Sequence, residues 1–267
     1  MFSMTPAIIN VDSLPVYVFW HIFINQQNRD RGVHIITRQF DKIVKSQLID
    51  RVTWVNIVFV GDIPFPCEEI RAHPKVRIIA TIGHGYEGVT SHCLKRTCDT
   101  QDHESLVLYL HNRGMSQLPD SPSEDWTLMM EYFVIERWRQ SIRVLKDKYT
   151  CGCELWAHTS RVNPKEFIYH YSGNFWWSRS EYIQQIQPPV FGNRYLESED
   201  WILQLADQGI PKEHFGILHR TNAPFTRGIV HSYIDRYPFK YYASGNETPD
   251  FILDKTIFHG EGCYPIS

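Results

Sequence analysis

Four short apolar runs in the first half of the chain, rich in β-branched and aromatic residues, restrict its possible folds more than any other feature. Val16-Tyr-Val-Phe-Trp-His-Ile-Phe-Ile24, Val52–Val60, Val76–Ile82 and Ser105–Leu110 read as strands. Their near-continuous apolarity belongs to strands covered on both faces. Between the first two, Ile35, Ile36, Phe40, Ile43, Val44 and Leu48 recur at helical spacing, and Val89–Cys98 fits a short helix. Strands alternating with helices in this way predict an α/β fold, a mostly parallel central sheet with flanking helices. Ligands in such sheets bind beyond the carboxyl ends of the strands. Chemistry is therefore expected in the loops at His21–Asn25, Gly61–Asp62, Gly83–Glu87 and His111–Ser116.

A helix is expected from about Asp125 to Lys148. There Leu128, Met129, Tyr132, Phe133, Ile135, Trp138, Ile142 and Leu145 form an apolar stripe, with Glu131, Arg137, Arg139 and Arg143 outside it. Cys151–Trp156 and the aromatic Phe167–Trp177 read as further strands, and the last ~60 residues as a Pro/Gly-punctuated aromatic wrap or lid. The 267 residues suit one large domain, and 43% hydrophobic against 21% charged residues supplies a core. A net charge of -3 gives no general attraction to phosphate backbones, so no nucleic-acid partner is expected. No apolar run approaches the ~18–20 residues of a membrane helix, and Met1–Asn10 lacks a signal-peptide pattern. A cytoplasmic protein is expected. The six cysteines show no zinc-knuckle spacing and read as reduced thiols. The histidines show no HExxH pattern, and the phosphate-binding glycine motifs are absent.

Three stretches carry candidate chemistry. His111-Asn-Arg113-Gly114 ends an apolar strand; an Arg there can grip phosphate with a planar fork of donors, and Gly lets backbone approach a ligand. The alternative is a plain strand exit with a surface Arg. Tyr169-His170-Tyr-Ser172-Gly173-Asn174-Phe-Trp176-Trp177 interrupts an aromatic strand with Ser-Gly-Asn, which a core strand does not need. It reads as a small-molecule site with stacking faces and directional polar groups, or else as a bulged core strand. Glu197-Ser-Glu199-Asp200-Trp201 places adjacent carboxylates at a helix start, either as ordinary first-turn acids or as a general base. Weaker candidates are Glu154 within an apolar strand, Asp62 after the second strand, and His219, Arg220 and Arg227 as tail contacts to phosphate.

The order of these pieces resembles GT-A-type (Rossmann-like) glycosyltransferases. More narrowly, it resembles small bacterial and giant-virus (chlorovirus-like) transferases with His-Thr-Lys-Gly, Tyr-Phe-Val-Ile-Glu-x-Trp, His-Phe-Ser-Gly-Asn-Phe-Trp-Trp and Glu-x-Trp-Ile motifs. The counterparts here are His111-Asn-Arg113-Gly114, Tyr132-Phe-Val-Ile-Glu136-Arg-Trp138, His170–Trp177 and Glu199-Asp-Trp-Ile202, with Tyr86, Glu87 and Thr90 also fitting. The resemblance covers residues 16–202. It implies a nucleotide-sugar donor, such as a UDP-sugar, bound by residues 1–120 through His21, Gly61, Asp62, Glu87, His111, Arg113 and Gly114. Residues 121–202 would hold the acceptor glycan, through His170, Ser172, Gly173, Asn174, Trp176 and Trp177, and 203–267 would wrap or close the site. Inverting transfer follows, with Glu199 or Asp200 as base and Glu154 as second choice. Most GT-A enzymes carry Asp-x-Asp at the fourth-strand exit to bind a divalent metal. Here His111-x-Arg113 stands there, so Arg113 can meet the phosphate itself. Mn²⁺ or Mg²⁺ stays open, with His111 as the ligand. If viral, the enzyme would act in the host cytoplasm on glycoprotein glycans. The competing expectations are an inactive sugar- or nucleotide-binding module and a metal-dependent hydrolase.

Overall fold

The computed structural model describes residues 6–113, 120–153, 155–159, 167–171, 173–190, 197–207, 210–211, 214–219, 236 and 238–243. The strands are β1 (Val16–Phe23), β2 (Trp54–Val60), β3 (Val76–Ile82), β4 (Leu106–His111), β5 (Thr150–Gly152), β6 (Leu155–Thr159), β7 (Phe167–Tyr171), β8 (Trp176–Arg179) and β9 (Phe215–Ile217). The helices are α1 (Arg29–Lys45), α2 (Leu48–Arg51), α3 (Glu68–Arg71), α4 (Gly88–Thr100), α5 (Pro122–Glu131), α6 (Trp138–Val144), α7 (Ser180–Gln185), α8 (Glu197–Asp200) and α9 (Gln204–Asp207). None is long and apolar enough to cross a membrane.

Seven strands form one sheet in the order β3-β2-β1-β4-β8-β5-β9, and β6 pairs with β7 in a separate ribbon. The pairs β1–β2, β1–β4, β2–β3 and β5–β9 are parallel, while β8 runs antiparallel to both neighbours. This is the expected α/β architecture. The apolar runs become strands because every residue of β4, and six of seven in β2, is buried between the helical layers. Two core clusters lie on opposite faces of the sheet; Trp177 enters one and Trp176 the other, as alternation along a strand demands.

The expected helix over residues 125–148 is interrupted. Ser121 caps α5, accepting a hydrogen bond from the Glu124 amide with Pro122 in the first turn. Residues Tyr132–Glu136 then form a π-helical turn before α6. The wider turn leaves carbonyls for outside donors: Trp177 Nε1 reaches Val134 O at 2.8 Å and the Ser141 hydroxyl reaches Phe133 O at 3.2 Å. Glu131, expected outside the apolar stripe, is wholly buried. Its side faces α1, where Arg38 (2.8 Å) and Lys42 (3.2 Å) pair with it. The expected Phe167–Trp177 strand also divides, into β7 and β8, at Gly173–Asn174.

Candidate functional site

The carboxyl edge of β1 and β4 assembles the candidate site. These strands are parallel and in register, so His21 lies beside His111. Because β8 enters antiparallel, with Trp176 opposite Tyr109, the turn just before it arrives at this same edge. Gly173 and Asn174 make that turn with φ of +80° and +56°. The φ of Gly173 strains any L side chain there, and a Cβ would also lie 2.2 Å from the Met130 sulfur, which would have to move. Glu87, immediately before α4, closes the group from the other side.

Glu87 is the hub. One carboxylate oxygen lies 2.8 Å from His111 Nδ1 and the other accepts from Asn174 Nδ2 at 2.7 Å. Asn174 Oδ1 accepts from Trp176 Nε1 at 2.8 Å, and His111 Nε2 donates to Gly173 O at 2.9 Å. Burial alone pushes the Glu87 carboxyl up, but His111, His21 and Asn174 together overcome it and hold it at about 2. His21 Nδ1 stands 2.8 Å from the Thr90 hydroxyl, and burial, aided by His111 and opposed by Glu87, depresses its pKa to about 4. Asn112 ties the strand ends together, accepting from the Phe23 amide at 2.9 Å and donating to its carbonyl at 2.8 Å.

Arg113 and Glu199 form the second part. Arg113 is buried, with its guanidinium 4.3 Å above the Trp126 ring and Nη1 3.5 Å from Glu199 Oε1. Burial raises the Glu199 carboxyl above its ordinary value; Arg113 opposes this and Glu87 reinforces it. Asp200 is more open and lies 4.0 Å from His170 Nδ1. A buried cation on an aromatic platform beside a carboxyl of raised proton affinity can bind an oxyanion and accept a proton within one site.

The structure redistributes several expected roles. Trp176 and Trp177 are 1% and 0% exposed, so their faces pack the core and offer no platform to a sugar. Trp176 stacks on Tyr109 at 5.0 Å. Gly61 serves packing: a Cβ there would lie 1.9 Å from Ile24 O. Asp62 is exposed and accepts from the Gln26 amide at 3.2 Å, tying the β1–α1 loop. His219 is buried against Phe133, with ring centroids 4.6 Å apart, rather than placed as a tail contact. Gly114, Glu154, Ser172, Arg220 and Arg227 lie outside the described residues.

At the β4 exit the described residues are His111, Asn112 and Arg113. Both His111 nitrogens face partners within 2.9 Å, and the next charged group is the cationic Arg113. Among the described residues, no three His, Cys, Asp or Glu side chains cluster as a metal site. A groove of about 530 Å³ between α1 and α3, lined by Val33, Thr37, Phe40 and Cys67, contains none of the singled-out residues.

Sequence reasoning missed Trp126, Asn112 and Gln39. Gln39 is wholly buried, accepts from Trp20 Nε1 at 3.0 Å, and donates to His111 O and Glu131 Oε1 at 3.0 Å each. Its position between Ile36 and Ile43, on the inward face of α1, was a usable signal.

Two solved structures share the outline at low identity. 4-Diphosphocytidyl-2C-methyl-D-erythritol synthase from Anaerococcus prevotii DSM 20548 is 9% identical with a TM-score of 0.44, over 86% of this chain and 93% of that one. A protein described as a nucleotide-diphospho-sugar transferase, from Desulfovibrio desulfuricans G20, is 10% identical with a TM-score of 0.36, over 72% and 75% of the two chains. No curated protein matches the chain. Residues 19–219 match one family model, so the chain belongs to the family described as a domain of unknown function, DUF8361.

Proposed function

We propose that this protein is a nucleotide-sugar-dependent glycosyltransferase of GT-A-like form, transferring a sugar to a hydroxyl of a glycan with inversion. The observation that carries the reading is the Arg113–Glu199 juxtaposition at the carboxyl edge of the parallel strands. The acceptor oxygen attacks the anomeric carbon as the bond to the donor diphosphate breaks. Glu199, as carboxylate, takes the hydroxyl proton; its raised proton affinity suits it to that task. Arg113, steadied by Trp126, meets the charge that develops on the departing phosphate. The Glu87–His111–Asn174 network fixes the backbone of the β4 exit and the 173–174 turn around them. His170 and Asp200 border the acceptor side.

Thermal-shift measurements with UDP-, GDP- and dTDP-sugars, each with Mn²⁺, Mg²⁺ or EDTA, test donor binding, because a ligand that binds only the native state raises the midpoint. Stabilisation by one nucleotide family that survives EDTA is the expected result. Turnover of that donor should fall by about 10²-fold or more in Glu199→Gln, the scale of a lost general base. Binding without turnover in the wild type would favour a sugar- or nucleotide-binding module. Failure of every donor would refute the reading.

A further inference from the structure

We infer that Arg236, which lies beyond the family-matched residues 19–219, is a positioning residue: it clasps the start of α5 and so sets the place of Trp126 beneath Arg113. This rests on the reading of Arg113 as the cation that meets the phosphate.

Arg236 bridges the capping turn of α5 from outside. Its Nη1 donates to Asp120 O at 3.1 Å and its Nη2 to Asp120 Oδ1 at 2.7 Å. Nε donates to Asp125 Oδ2, and Nη2 also reaches Asp125 Oδ1 at 3.1 Å. The two acids flank the cap Ser121 and Pro122, so one guanidinium holds both sides of the helix start. A planar fork of donors suits two carboxylates and a carbonyl, a set that a point-like ammonium cannot span. Asp120 gains most from such a hold, since its φ of +55° lies in the left-handed region. Exposed ion pairs ordinarily add little stability. Here the Asp125 side chain is only 8% exposed against 47% for Arg236, so the contact runs from the surface inward.

The same stretch of chain grips the far end of the helix. Phe239 and Tyr242 each pack on Tyr132 with ring centroids 5.4 Å apart, and Tyr242 joins the core cluster of Trp126 and Met130. Between these two holds, α5 carries residues that shape the site. Trp126 directly follows Asp125 and lies 4.3 Å from the Arg113 guanidinium, while Met130 sits against Gly173. A displaced α5 start would therefore move the ring on which Arg113 rests and leave the sheet intact. Ligand binding would then have to immobilise both side chains, which weakens it.

The test uses the full chain labelled with 5-fluorotryptophan, the Trp126 and Trp54 resonances being assigned with Trp126→Phe and Trp54→Phe. Wild type, Arg236→Ala and Arg236→Lys are compared by fluorine NMR, thermal unfolding and calorimetric titration with inorganic pyrophosphate. Arg113→Ala, which should lose binding, ties the pyrophosphate to the site. In Arg236→Ala the Trp126 resonance should shift or broaden, while that of Trp54 on β2 keeps its place. Pyrophosphate should bind about tenfold more weakly, the scale of ordering one or two side chains. The unfolding midpoint should fall by about 3 °C or less, as a surface pair allows. Arg236→Lys, which keeps the charge without the fork, should fall between the two in resonance and affinity. A wild-type Trp126 resonance or a wild-type affinity in Arg236→Ala overturns the inference alone, provided that Arg113→Ala loses binding. Equal binding by Arg113→Ala, or none by wild type, overturns the phosphate reading and the inference with it.

Discussion

Removal of the Glu87 carboxylate should be among the most damaging single changes near the site, and the choice of replacement should decide how damaging. In Glu87→Ala, His111 Nδ1 and Asn174 Nδ2 lose partners at 2.8 and 2.7 Å in a region without water access. Breaking a buried charged pair on one side costs about 3–5 kcal/mol. Glu87→Gln can still accept from Asn174 through its oxygen, and its amide can donate to His111 Nδ1 if that nitrogen accepts and Nε2 keeps its proton for Gly173 O. The loss should then be about 1–2 kcal/mol, one charge-assisted hydrogen bond traded for a neutral one. Urea unfolding followed by the fluorescence of the eight tryptophans measures both variants at pH 7. The carboxyl also links stability to pH. Its pKa falls from 4.5 to about 2 on folding, so the unfolded chain binds the extra proton between those values. The contribution is complete above pH 4.5 and is lost as pH falls toward 2, on the order of 3 kcal/mol in all. The Gln variant should lack that part of the acid-induced loss. If Glu87→Ala lies within about 1 kcal/mol of wild type, or no closer to it in Gln form, the hub reasoning is wrong.

Other consequences are open to simpler measurements. Gly173→Ala should lower stability by about 2–4 kcal/mol through its positive φ and the Met130 contact; a non-additive double mutant with Met130→Ala in thermal unfolding would separate the two causes. His21, depressed from 6.5 to about 4, favours folding fully above pH 6.5 and loses that contribution as pH falls toward 4. His21→Asn should therefore flatten the stability–pH profile between pH 4 and 6.5, and a parallel profile would contradict its burial in neutral form. Arg236→Ala removes the ion pairs to Asp120 (2.7 Å) and Asp125. Amide exchange at residues 123–126 should accelerate while the global midpoint barely moves.

Much of this arrangement was legible because burial writes itself into sequence as period. The four runs between 16 and 110 became β1 to β4 with boundaries shifted by no more than two residues, since strands covered on both faces leave little ambiguity. The positions of His21, His111 and Arg113 at strand exits followed from that alone. Pairwise orientation was not legible. Ser-Gly-Asn was read as an interruption, but nothing in one sequence says that Asn174 turns inward to Glu87, 87 residues away. The tryptophans illustrate the same gap: aromatic faces suit a sugar or a core equally, and only the opposed packing of Trp176 and Trp177 decides for the core. Glu131 was placed outside its helix stripe because the stripe was drawn for one buried face, whereas the helix is also covered by α1.

The π-helical turn has a bearing on chain length. An α-helix advances about 100° per residue, so in an unbroken helix the face carrying Trp126, Met130 and Phe133 would lie about 100° from the one carrying Trp138, Ile142 and Leu145. One extra residue accommodated at Tyr132–Glu136 cancels that drift and brings all six side chains into the same core cluster. The segment is thus a frame correction, equivalent to a single-residue insertion that has been absorbed. Deletion of one residue elsewhere in α5 or α6 rotates half of the buried face away, whereas deletion within 132–136 changes the winding and the rotation together.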